Sequence, residues 1–102
     1  MRIEFERSGG FMGLTQAVVV DTTALEKREA DELTAMVRTA GFFELPEQLV
    51  SDSAGADRFQ YRLTIEELEQ KHTVVLNEVD APEELQPLLQ RLNLLVRTHR
   101  KH

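Results

Sequence analysis

The chain has no cysteine and no tryptophan, a single tyrosine and only three histidines among its 102 residues. Without cysteine there can be no disulfide, no thiolate nucleophile and no cysteine-based zinc site. No apolar run approaches the ~18 residues of a membrane span, so no membrane partner is expected. The segment Met1-Arg2-Ile3-Glu4-Phe5-Glu6-Arg7 lacks the apolar core of a secretion signal. These absences together predict a cytoplasmic protein. Cationic residues are also scarce: 12 Lys and Arg stand against 18 Asp and Glu, for a net charge of −6. Phosphate binding needs concentrated Lys and Arg, so nucleic acid is not an expected partner. The one basic cluster, Arg97 to His102, is a short tail.

Catalytic patterns are equally thin. The glycines of Gly9 to Gly13 lack the Lys and the following helix that would cradle a phosphate. Ser8, Ser51 and Ser53 have no histidine at a spacing that suggests a nucleophile. His99 and His102 lie three apart in the tail, with no third ligand near them. His72, at a strand start, reads as solvated or structural. No metal, cofactor or catalytic residue is predicted, and a binding protein is favoured over an enzyme.

What the chain does have is Asp57 to Glu66, in which Phe59, Tyr61, Leu63 and Ile65 alternate with Gln60, Arg62, Thr64 and Glu66. Successive strand side chains point to opposite faces, so this is a strand with one dry and one wet side. Residues 1–7 alternate more weakly around Ile3 and Phe5 and predict a first strand. Ser8 to Gly13 is a glycine-rich turn. Its Phe11 and Met12 either close one end of the core or form an exposed contact patch. Leu14 to Asp21, with Ala17-Val18-Val19-Val20 apolar on both faces, predicts a second strand in a central position. A fourth strand spans His72 to Val79; its inward face is ambiguous because Val74, Val75 and Leu76 are consecutive.

Two helices complete the pattern. The first begins at Thr22-Thr23, with Thr23 and Glu26 spaced as a capping box. It carries Leu25, Ala30, Leu33, Met36, Val37 and Ala40 on one stripe and ends at Gly41. The second begins at Asp80 to Glu83 and carries Leu85, Leu88, Leu89, Leu92, Leu95 and Val96, with a slight irregularity expected at Pro87. Phe42, Phe43 and Leu45 are too apolar for a free loop and are expected to plug the core. Glu47 to Ala56 has no period, and its length exceeds the usual connection, which marks it as either a plain linker or a binding loop carrying Leu49 and Val50. The expected fold is α+β, in the order ββαββα. It is a two-layer sandwich of a four-stranded, largely antiparallel sheet with two helices on one face, forming one domain over residues 1–102 with residues 97–102 a frayed basic tail.

Three stretches carry a family resemblance. Residues Met1 to Gly13, with Ser8-Gly9-Gly10-Phe11, resemble the N-terminal signature of emfourin-like proteins. Ala56-Asp57-Arg58-Phe59-Gln60-Tyr61-Arg62-Leu63 resembles their second signature, and Phe42-Phe43-Glu44-Leu45-Pro46 is similar to their helix-exit motif. The likeness extends to about Leu92 and leaves the basic tail outside. It implies a small intracellular bacterial protein that inhibits thermolysin-like zinc metalloproteases of the protealysin type. Such proteases favour a bulky aliphatic residue just after the scissile bond. The expected contact loop is therefore Pro46, Glu47, Leu49, Val50, Ser51 and Asp52, with Phe11 and Met12 as a second contact. The alternative is a small α+β sensing or assembly module that dimerises through an open sheet edge.

Overall fold

In the computed structural model, which describes residues 1–9, 15–49, 59–77 and 80–99, five strands and two helices share one core. The strands are β1 (Arg2–Gly9), β2 (Gln16–Asp21), β3 (Gln48–Leu49), β4 (Phe59–Glu67) and β5 (Gln70–Asn77), and the helices are α1 (Lys27–Ala40) and α2 (Gln86–His99). The sheet order is β2-β1-β4-β5-β3, with β4 in the middle. The β1–β2, β1–β4 and β4–β5 pairs are antiparallel; β3 runs parallel to β5. The expected four-stranded sheet is thus five-stranded and mixed. The added strand pairs only two residues, Gln48 with Val75 and Leu49 with Leu76, too few to leave a period in the sequence.

Alternation decides which strand side chains go inward. Ile3 and Phe5 on β1, Val18 and Val20 on β2, Tyr61, Leu63 and Ile65 on β4, and Val74 and Leu76 on β5 are buried with Leu33 and Val37 of α1 and Leu88, Leu89, Leu92 and Val96 of α2. Burial at this scale stabilises the fold by roughly 1.5–3 kcal/mol per large side chain. The ambiguity on β5 resolves with Val74 and Leu76 inward. On the opposite face Arg2, Glu6, Val19, Arg62 and Lys71 are exposed, and the Thr64 and Thr73 hydroxyls meet at 2.9 Å across the β4–β5 ladder.

The second strand is not central. It lies at the sheet edge, and Val19 is 53% exposed. Its apolar run misleads because an exposed apolar side chain is common on any surface, so a continuous run does not establish burial on both faces.

The helix starts also differ from expectation. Asp21 accepts from the Thr23 amide at 3.0 Å and from the Thr23 hydroxyl at 2.7 Å. This holds Thr22–Ala24 in a 3₁₀ turn, and α1 begins only after Glu26, whose side chain makes no capping bond. The Thr23 hydroxyl is spent on Asp21 and does not cap the helix. Gly41 ends α1 at φ 61°, ψ 42°, and its amide donates to the Val37 and Arg38 carbonyls. That left-handed conformation disfavours any residue with a Cβ. Phe42 then fills the core, its ring edge-on to Phe43 and to His72. At the second helix, Pro82 opens a 3₁₀ turn over Glu83–Leu85 in place of an Asp80 cap. The Asp80 amide instead donates to Asn77 Oδ1 at 2.7 Å. Pro87 falls in the first turn of α2, where its missing N–H removes no helical bond. Helix α2 continues to His99, so the expected tail begins inside it; residues 100–102 lie outside the described residues.

Candidate functional site

The strand registers bring several chain ends to one end of the sheet. Gly9, the last residue of β1, is the partner of Phe59, the first of β4. Arg7 pairs with Gln16 at the start of β2, Gln60 with Asn77 at the end of β5, and Leu49 ends β3 opposite Leu76. The chain therefore leaves and re-enters the sheet at this one end on either side of residues 10–14 and 50–58. Neighbouring strands lie about 4.8 Å apart, so the β1 and β3 stems are separated by roughly 14 Å across β4 and β5. Gly9 adopts φ 96°, a left-handed value suited to glycine at the exit from β1.

The stem that enters at β3 is fixed at three points. His72 Nε2 donates to the Leu45 carbonyl at 2.7 Å. The Val75 amide donates to the Glu47 carbonyl at 2.8 Å. Leu49 is half-buried and packs against the core cluster. Pro46, Glu47 and Gln48 are exposed between these anchors. Of the predicted contact residues, Pro46, Glu47 and Leu49 thus form the stem. Val50, Ser51, Asp52, Phe11 and Met12 lie outside the described residues.

Beneath the same end lies a polar cluster that sequence reasoning missed. Arg7 Nη1 donates to Asn93 Oδ1 of α2 at 2.8 Å, and Arg7 Nη2 donates to Gln16 Oε1. Asn93 Nδ2 donates to the Leu89 carbonyl at 3.0 Å and reaches the Tyr61 hydroxyl at 3.4 Å. The Tyr61 ring lies 5.3 Å from that of Phe5. Alternation carried the signal, since Arg7 continues the Ile3–Phe5 face. Asn93, flanking a leucine stripe, carried none. The cluster ties β1, β2, β4 and α2 together where the chain leaves the sheet.

Chemically, this end can hold and present backbone segments. Among the described residues, no group of three or more His, Asp or Glu side chains is placed to hold a metal ion. Among the described residues, displaced carboxyl and amine equilibria lie elsewhere, on the exposed side chains of Asp21 and Lys27. Asp31 beside Lys27 holds the ammonium above its ordinary value.

Comparison with known proteins adds one match. The Emfourin family model matches residues 5–93, which run from within β1 to the middle of α2. No curated protein and no solved structure matches the chain.

Proposed function

The chain belongs to the Emfourin family, and on that footing we propose that it is a reversible, non-covalent inhibitor of thermolysin-like zinc metalloproteases of the protealysin type. It acts in the bacterial cytoplasm and has no catalytic activity of its own. The contact loop is Pro46, Glu47, Leu49, Val50, Ser51 and Asp52, lodged in the protease cleft, with Phe11 and Met12 as a second contact. Leu49 holds the stem and Val50 offers the aliphatic side chain that such a cleft accepts. The observation that carries this reading is the Gly9–Phe59 register, which brings the anchors of both segments to one end of the sheet. A loop pinned at its stem avoids part of the ordering cost of binding. It also resists turnover, because cut ends held by the sheet cannot leave.

The test is a pre-incubation titration against a thermolysin-like protease, read with a small fluorogenic peptide and controlled with excess zinc. Saturable loss of activity near one equivalent, with the inhibitor intact afterwards, is expected. Digestion of the protein as a substrate, or no effect on a protease from the same organism, would overturn the reading. The variant Leu49→Ala/Val50→Ala is expected to weaken inhibition strongly; unchanged inhibition by a folded double variant would remove the loop assignment.

A further inference from the structure

The two edges of the sheet are finished differently. Beyond β5, the edge is covered by β3 and by the Phe42–Leu45 turn, which His72 bonds. Beyond β2, no further strand follows among the described residues. Proteins usually blunt such an edge with lysine, proline or a bulge. Gln16-Ala17-Val18-Val19-Val20-Asp21 contains neither lysine nor proline, and its register to β1 runs without a bulge.

The register shows which backbone groups the edge offers. The Thr22 amide donates to the Met1 carbonyl at 2.9 Å, which marks Met1 and Thr22 as a hydrogen-bonded pair. Antiparallel pairs alternate, so Ile3–Val20, Phe5–Val18 and Arg7–Gln16 are also hydrogen-bonded pairs. The amides of Ala17, Val19 and Asp21 and the carbonyls of Ala17 and Val19 therefore point outward, while the Asp21 carbonyl turns toward the 3₁₀ turn that follows it.

We propose that β2 pairs antiparallel with β2 of a second copy of this chain, about a two-fold axis through Val19. In this register Val19 faces its own copy, and Ala17 and Asp21 face each other on both sides. The Val19 pair exchanges two hydrogen bonds, and in each flanking pair the Asp21 amide donates to an Ala17 carbonyl. The two exposed Val19 side chains meet on the axis, as a self-complementary two-fold contact requires. The neighbouring register, centred on Val18, is worse. It sets the second copy's Gln16 beside Val20, at a cleft of about 230 Å³ whose walls include the apolar side chains of Leu25, Leu33 and Leu95. Centring on Val19 sets Val18 there instead. β2 also carries only one charge, Asp21, so little of the repulsion between two chains of net charge −6 arises along this edge. The resulting ten-stranded sheet has both helix layers on one face and its two loop ends pointing in opposite directions.

Sedimentation velocity over micromolar to millimolar protein tests this, together with amide hydrogen exchange. The expected result is a twofold rise in mass with concentration. The Val19 and Asp21 amides should become protected as the mass rises, while those of Val18 and Val20 are protected throughout. Val19→Lys, at an exposed position, should keep the fold and the monomer mass at every concentration. A mass that never rises, or a dimer that survives Val19→Lys, would overturn the proposal. So would protection of the edge amides only when a protease is added, which would assign the edge to the target.

Discussion

His72 Nε2 lies 2.7 Å from the Leu45 carbonyl oxygen, and the imidazole stands edge-on to Phe42 with ring centroids 5.5 Å apart. A carbonyl can only accept, so the proton is on Nε2. One side chain therefore ties β5 to the exit of α1 and to the start of the candidate contact loop. His72→Ala removes a partly buried hydrogen bond and an aromatic contact, and is expected to cost ~1–3 kcal/mol. Urea unfolding checks the stability. The inhibition constant should rise as well, because the stem loses one of its three anchors; a variant that loses stability but inhibits unchanged would separate the stem from the function.

A second anchor is the bond between Arg7 and Asn93, charge-assisted and half-buried at 2.8 Å. Arg7→Met and Asn93→Leu are each expected to destabilise by ~1–3 kcal/mol. Because the two side chains touch, the losses should not add. A double-mutant cycle should give a coupling of ~0.5–3 kcal/mol, and additive losses would show that the contact contributes nothing.

The same two anchors mark the boundary of what the residues reveal unaided. The β4 alternation at Tyr61, Leu63 and Ile65, the Leu33 and Val37 positions of the α1 stripe, Gly41 and the Phe42 plug are local patterns that the structure keeps, whereas Thr64 on the expected wet side is also buried and Leu25 lies ahead of α1. The misplaced features depend on competition between neighbours or on distant partners. Asp21 takes the Thr23 hydroxyl that would otherwise cap α1. A two-residue parallel strand exists only because β5 lies beside it. The apolar run of β2 looks the same whether its outer side is covered or bare. At the candidate site, the described part of the periodless stretch from Glu47 is the stem, where Gln48–Leu49 forms β3. The stem's anchoring through His72, Val75 and Leu49 is tertiary and left no trace in spacing.

Asp21 supplies a prediction in pH. The Thr23 hydroxyl, and after it the Thr23 amide, hold its carboxyl below the ordinary value of 3.8. A carboxyl depressed on folding contributes stability that is present above the unfolded value and is lost as pH falls through the folded one. An NMR titration of the Asp21 carboxyl should therefore show a midpoint below that of an unstructured aspartate. Thr23→Val removes the hydroxyl and keeps the amide, so it should move the midpoint upward without abolishing the displacement.

Gly41 isolates backbone conformation from packing. At φ 61° and ψ 42° it occupies the left-handed region, and a Cβ placed on it would meet nothing within 4 Å. Gly41→Ala therefore carries no steric clash, and its cost is the conformational penalty alone, about 1–2 kcal/mol. For a domain of this size that corresponds to a melting temperature lower by roughly 4–16 °C. Gly41→Asn should cost less, because asparagine tolerates this region better than alanine. Calorimetry on the two variants checks the order. If alanine and asparagine were equally costly, the loss would have to come from contacts that the open space around Gly41 does not contain.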